Sequence, residues 1–174
     1  LQPSSFRLHP SDPPLKKTTL IYNPVAGRKP AKRERQIRKA AEPLTAAGLE
    51  LTLAATTGPG DATNLARRAV AEGAEFVLAC GGDGTVNEVL NGLVPGSATL
   101  GIFPGGTANI IGKELHLPHD PARAARALPQ WKPRRIALGR ATWNDAASGE
   151  PRSRVFISVA GVGFDAYIVH SLSW

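Results

Sequence analysis

Three things are scarce in this chain of 174 residues: cysteine, of which there is one; aromatic side chains, at 6%; and acidic groups, 14 against 21 basic ones. A single thiol cannot close an internal disulfide, so a reducing, cytoplasmic setting is expected rather than a stapled secreted fold. That thiol, Cys80, ends an apolar run where a small buried residue fits, and a reactive role is not favoured. Long hydrophobic stretches are missing too. None approaches the roughly 18 to 20 residues of a membrane-spanning helix, so an integral membrane protein is not expected. The first fourteen residues hold four prolines and no continuous apolar stretch. Residues 1–16 therefore read as a disordered, proline-rich tail and not as a signal peptide.

The shortage of acidic residues leaves a net charge of +7. Much of the excess lies in Arg28, Lys29, Lys32, Arg33, Arg35, Arg38 and Lys39, a stretch whose only acidic residue is Glu34. Such a surface seeks anions: nucleotide phosphates, or an acidic membrane face contacted peripherally. A solvated helix face with no partner is the alternative. Nucleic acid is disfavoured, because no aromatic residue interleaves with these charges and no reading motif is present.

Apolar periodicity is what the chain does have. Residues 18–22, the alternating leucines Leu49, Leu51 and Leu53, the unbroken run 76–80 and residues 99–103 read as strands. Helical spacing predicts helices over about 31–47, over 61–72 and after the glycines at 81–84, with another starting near Thr107. Asp61 is a credible N-cap for the second of these helices. Strand and helix alternate, which argues for an α/β fold: a three-layer α/β/α sandwich on a mostly parallel sheet, with ligands at the carboxyl ends of the strands. The pattern changes after about Pro118. A short helix over 120–128 is followed by strands at 136–141 and 154–160 with a polar turn, 144–149, between them; lacking a crossover helix, they suggest an antiparallel pair. The expected organisation is a nucleotide-binding domain over 17–130, and crossover strands over 131–174 that start a β-rich second unit left incomplete at Trp174.

The most informative segment is Gly81-Gly82-Asp83-Gly84-Thr85-Val86-Asn87-Glu88, between a strand and an amphipathic helix. Three glycines in four positions let the backbone adopt positive φ and approach a ligand with no Cβ in the way. The first amides of the helix have no intrahelical acceptor, and with the helix dipole they favour phosphate. A carboxylate beside phosphate is repulsive unless a cation intervenes or the carboxylate takes up a proton. Asp83 therefore suggests a Mg²⁺ ligand or catalytic base chemistry. The plainer reading is a helix cap, and Thr85-x-x-Glu88 fits a capping box. Other phosphate motifs fail. The P-loop would need a glycine where Thr107 stands, and the dinucleotide fingerprint lacks its third small residue. His116 and His119 have ligand-like spacing but no accompanying ligands.

Asn23-Pro24-Val25-Ala26-Gly27, Gly81 to Glu88 and Pro104-Gly105-Gly106-Thr107-Ala108-Asn109, in this order, resemble the catalytic-domain signature of the diacylglycerol kinase family, which includes bacterial lipid kinases and sphingosine and ceramide kinases. Residues 156–166 also resemble that family, at the crossover into its second domain. The resemblance implies a nucleotide-binding domain of the phosphofructokinase and NAD kinase type. It implies Asn23, Pro24, Val25, Ala26, Gly27 and Thr56 at the nucleotide, Gly81, Gly82, Asp83, Gly84, Thr85, Val86, Asn87 and Glu88 around the phosphates, and Thr107 as a further contact. ATP and Mg²⁺ are the implied cofactors, and a lipid hydroxyl such as that of diacylglycerol the acceptor, with homo-oligomers left open. Ile110 departs from the family, which often has Asp there. Little activity is expected from these residues alone, since the family carries its general base in a later β-rich domain. NAD kinase and a non-catalytic nucleotide-binding module are the competing readings.

Overall fold

Ile37, Ala40 and Leu44 recur at helical spacing and are all buried, while Arg35, Arg38 and Lys39 on the same stretch stand in solvent. This amphipathic pattern makes α1 (Arg33–Ala46) a helix laid on a sheet. The computed structural model describes residues 16–27, 30–158, 160–161 and 166. The proline-rich tail, apart from Lys16, lies outside the described residues, as do Arg28, Lys29 and much of the segment 156–166.

The chain alternates as expected: β1 (Lys16–Tyr22), α1, β2 (Leu49–Ala55), α2 (Asp61–Ala71), β3 (Phe76–Gly81), α3 (Asp83–Leu93), β4 (Thr99–Pro104) and the short helices α4 (Ile110–Glu114) and α5 (Pro121–Ala127). A parallel sheet forms in the order β2-β1-β3-β4, with Ile21 opposite Ala54 on one side and Ala79 on the other. The chain steps outward from β1 to β2, then reverses past β1 to β3 and β4. Right-handed crossovers in opposite directions put their helices on opposite faces. One face accordingly packs Ala62, Ala66, Val86, Val89 and Leu93 of α2 and α3 against Ile21, Val77 and Ala79. The other packs Ile37 and Leu44 of α1 and Ala124 of α5 against Leu20, Leu78 and Phe103. Trp131 closes that face, edge-on to Phe103 with centroids 6.1 Å apart.

The antiparallel pair also forms, as β5 (Gly139–Asn144) and β6 (Pro151–Phe156). Both strands are offset from the expected spans, because Asp145 organises the turn by accepting from the amides of Ala147 and Ser148. Asn91 on α3 fastens this hairpin to the α/β unit. Its side chain donates to the Val155 carbonyl and accepts from the Val155 amide, each at 2.9 Å.

Candidate functional site

Where β1 gives way to β3 the chain reverses direction, and in such sheets the crevice beyond the strand ends is the place for a ligand. Four loops meet that edge. Asn23 leaves β1 by donating its amide to the Cys80 carbonyl at the end of β3, and its side chain accepts from Val25 to form a tight turn. Thr56 is buried at the end of β2, its amide donating to the Tyr22 carbonyl. Gly105, after β4, donates to the Gly81 carbonyl. These ladder-end bonds bring 23–27, 56, 81–83 and 104–106 to one edge, where the sequence placed its contacts. Val25 is 74% exposed and Thr107 and Gly84 are exposed, whereas the Val86 side chain lies in the core.

The positive φ expected of the glycines at 81–84 is not used. None of Gly81, Gly82 or Gly84 has positive φ; Gly82 is extended, with φ −81° and ψ −178°. At Gly81, and where Gly82 meets Gly106, the requirement is close packing, whereas a Cβ on Gly84 would meet nothing within 4 Å. A Cβ on Gly106 would strike the Gly82 Cα, and one on Gly81 would meet the Thr85 side chain at 2.5 Å. The turns after β3 and β4 thus touch backbone to backbone. Left-handed φ is used after β1 instead, at Gly27, with φ +78°.

The cap readings also give way. Gly82 is the N-cap of α3, so Asp83 and Thr85 are its first and third residues, and no side chain caps it. The Glu88 carboxylate is occupied elsewhere, accepting from the Gly60 amide at 2.9 Å and so tying the loop before α2 to α3. Asp61 is not a cap either: Gly60 holds that position, and the Asp61 carboxylate accepts from the amide and hydroxyl of Thr57. The helix expected near Thr107 starts at Ile110, because Asn109, with φ +48°, exchanges two hydrogen bonds with Gly106 and holds 106–109 as a loop.

Asp83 stands half-buried at the start of α3, its Oδ1 accepting from the Ile111 amide at 3.4 Å. Among the described residues no group of three or more His, Cys, Asp or Glu could hold a metal ion. A lone carboxylate fits Mg²⁺ bound jointly with phosphate oxygens, the usual way this ion is held beside nucleotides, and does not fit an all-protein metal cage.

Two contributors escaped the sequence reading. Asn91 gave no signal beyond its place on an amphipathic helix. Arg33, assigned to the basic surface, is instead only 6% exposed and reaches the loops from below. Its spacing from Ile37, Ala40 and Leu44 is the trace it leaves in the sequence, since those positions share one helix face.

Below the site, Cys80 is fully buried. Burial pushes its thiol from the usual value near 9 up to about 11, against a smaller opposing pull from Arg33. The thiol is therefore held protonated and unreactive. Between those two values the unfolded chain releases this proton while the folded one keeps it, so the folded state loses stability as pH rises. Below pH 9 the group contributes nothing. The loss should reach about 2 to 3 kcal/mol by the upper value. Urea midpoints at about pH 8 and about pH 10.5 should converge on a shallower pH slope in Cys80→Ala than in the parent; equal slopes would refute the assignment.

A doubly wound α/β unit with glycine-bearing loops at its switch point is thus the class that the architecture defines. The model of the diacylglycerol kinase catalytic domain matches residues 17–141, and the chain belongs to that family. It is 36% identical over 150 residues to diacylglycerol kinase of Staphylococcus aureus (strain MRSA252), covering 85% of this chain and 44% of that protein. The diacylglycerol kinase of Staphylococcus aureus (strain bovine RF122 / ET3-1) matches with the same figures. The crystal structure of a diacylglycerol kinase from Bacillus anthracis str. Sterne is similar at a TM-score of 0.64 and 31% identity, over 80% of this chain and 46% of that one. The chain spans a little under half the length of the curated relatives it matches. Among the described residues, no helix is long and apolar enough to cross a membrane.

Proposed function

We propose that residues 17–130 are the ATP-binding unit of a lipid kinase that passes the γ-phosphate of ATP to a lipid hydroxyl such as that of diacylglycerol, and that residues 131–174 begin its β-rich substrate unit. The observation that carries this reading is the backbone contact between Gly82 and Gly106 at the switch point, with Asp83 beside it. The amides of Asp83, Gly84 and Thr85 have no acceptor within their own helix and are suited to phosphate oxygens. Asn23 to Gly27, Thr56 and Thr107 would border the nucleotide.

Phosphoryl transfer is mostly positioning and neutralisation of charge, which suits a site made of main chain with one carboxylate. Asp83 would hold Mg²⁺, which when bound would neutralise phosphoryl charge. The exposed cations of α1, Arg35, Arg38 and Lys39, with Lys32 just before it, offer a face for acidic headgroups.

Calorimetric titration of MgATP into the chain, followed by a nucleotide-soaked crystal, tests the reading. Triphosphate density against residues 82–85 is the expected result. Nucleotide bound elsewhere, with that turn empty, would overturn it. The acceptor is read in a polypeptide that also carries the later β-rich domain, by transfer from γ-labelled ATP to diacylglycerol; label passing to NAD and to no lipid would indicate an NAD kinase instead.

A further inference from the structure

Arginine is seldom fully buried, and when it is a carboxylate normally accompanies it. Arg33 has none. Among the described residues its guanidinium pairs with no acidic side chain, and its buried Nε–H has no hydrogen-bond partner at all. The hydrogen bonds it makes go to the main chain and to sulfur: Nη2 donates to the Ala26 carbonyl at 2.9 Å and also to the Gly105 carbonyl, and Nη1 lies 4.0 Å from the Cys80 Sγ. Those three residues belong to the loop after β1, the end of β3 and the loop after β4. One side chain touches all three.

The surroundings are shaped for it. A Cβ on Gly105 would come within 3.0 Å of Nη1, and one on Gly27 within 3.2 Å of Nη2 and 2.6 Å of the Gly105 carbonyl oxygen. Glycine at the ends of two separated motifs therefore leaves room for a fork anchored on α1.

We infer that Arg33 is a positioning residue that sets the spacing of the loops 23–27 and 104–106 from beneath the site, and through that spacing the affinity for nucleotide; the inference rests on the ATP-binding reading given above. Its fork matters more than its charge. Nη2 serves both carbonyls while Nη1 meets the sulfur; lysine has one nitrogen, and that nitrogen cannot stand at the carbonyls and at the sulfur together. Loss of the fork takes the donor from the buried Gly105 carbonyl and the part-buried Ala26 carbonyl and leaves the loops free to separate, and misplacement of about 1 Å at a site of this kind costs on the order of 100-fold.

The test uses Arg33→Met, which keeps the stem, and Arg33→Lys, which keeps the charge. Three readings are taken on each chain: cooperative thermal unfolding and, well below the melting midpoint it gives, MgATP affinity and amide hydrogen exchange over residues 23–27 and 104–109. Both variants should unfold cooperatively, exchange faster in those two segments and bind MgATP about 10- to 100-fold more weakly. Affinity within about twofold of the parent in Arg33→Met overturns the inference, and so does full retention by Arg33→Lys, which would make charge the operative property. Should either variant unfold, Gly105→Ala, which crowds the guanidinium without removing it, supplies the same readings. A parent chain that binds no MgATP defeats the ATP-binding reading, and the nucleotide role of Arg33 with it. A parent that binds, beside variants with unaltered exchange, defeats the Arg33 inference alone.

Discussion

Gly106→Ala should reduce MgATP affinity by about 100-fold or more, the largest effect expected from adding a single methyl group to this chain. The added Cβ would fall inside contact distance of the Gly82 Cα, and neither partner is a flexible side chain that can swing aside. The turns after β3 and β4 must therefore part. Gly106 is also held by both polar atoms of Asn109, so its displacement would disturb the loop leading into α4. Overpacking of this kind typically costs about 1 to 3 kcal/mol, which a domain of this size survives. Gly84→Ala is the control. A methyl group added there would have nothing within 4 Å, and the residue lies in the first turn of α3, where alanine is the better helix former by about 1 kcal/mol. Its melting temperature should hold or rise. Parent-like affinity and stability in Gly106→Ala would show that the contact between the two turns is dispensable.

Asp83→Asn should lower affinity for MgATP by about 10- to 100-fold while affinity for metal-free ATP stays level or improves, because a like charge facing the phosphates has gone. The amide side chain keeps an oxygen for the Ile111 amide, so the fold should not change. Asp61→Asn is the comparison: its carboxylate accepts from both the amide and the hydroxyl of Thr57, and losing one of these bonds should cost about 1 kcal/mol of stability with little change in binding. Titrations with and without Mg²⁺ decide between them. Superimposable curves for the two variants would remove Asp83 from the metal role.

Membership of the family was legible before any coordinates, since three motifs in order, ending at Gly27, Glu88 and Asn109, resemble its signature, and the match over residues 17–141 bears this out. The alternation of elements was equally plain. Strands at 76–80 and 99–103 agree with the structure to within a residue, and the first is the clearer because a strand covered on both faces is an unbroken apolar run. The roles of individual polar residues were much less legible. Asp61, Thr85 and Glu88 all carry the local chemistry of helix caps, yet each is used otherwise: Asp61 on a neighbouring turn, Glu88 on a loop 28 residues away, and Thr85 inside the first turn of α3.

Arg33 marks the same divide. In the linear order it sits among six other cations and looks like part of a solvated face, although its helical phase with Ile37 sets it on the buried side. Sequence alone determined the periods, the element types and the glycine positions, because hydrophobic spacing and backbone permissiveness are properties of short stretches. Only the tertiary structure decided what the glycines are for, which loops touch and where a buried guanidinium finds its acceptors. Those depend on groups up to 72 residues apart being brought within hydrogen-bonding distance, and nothing local encodes which pairs will meet.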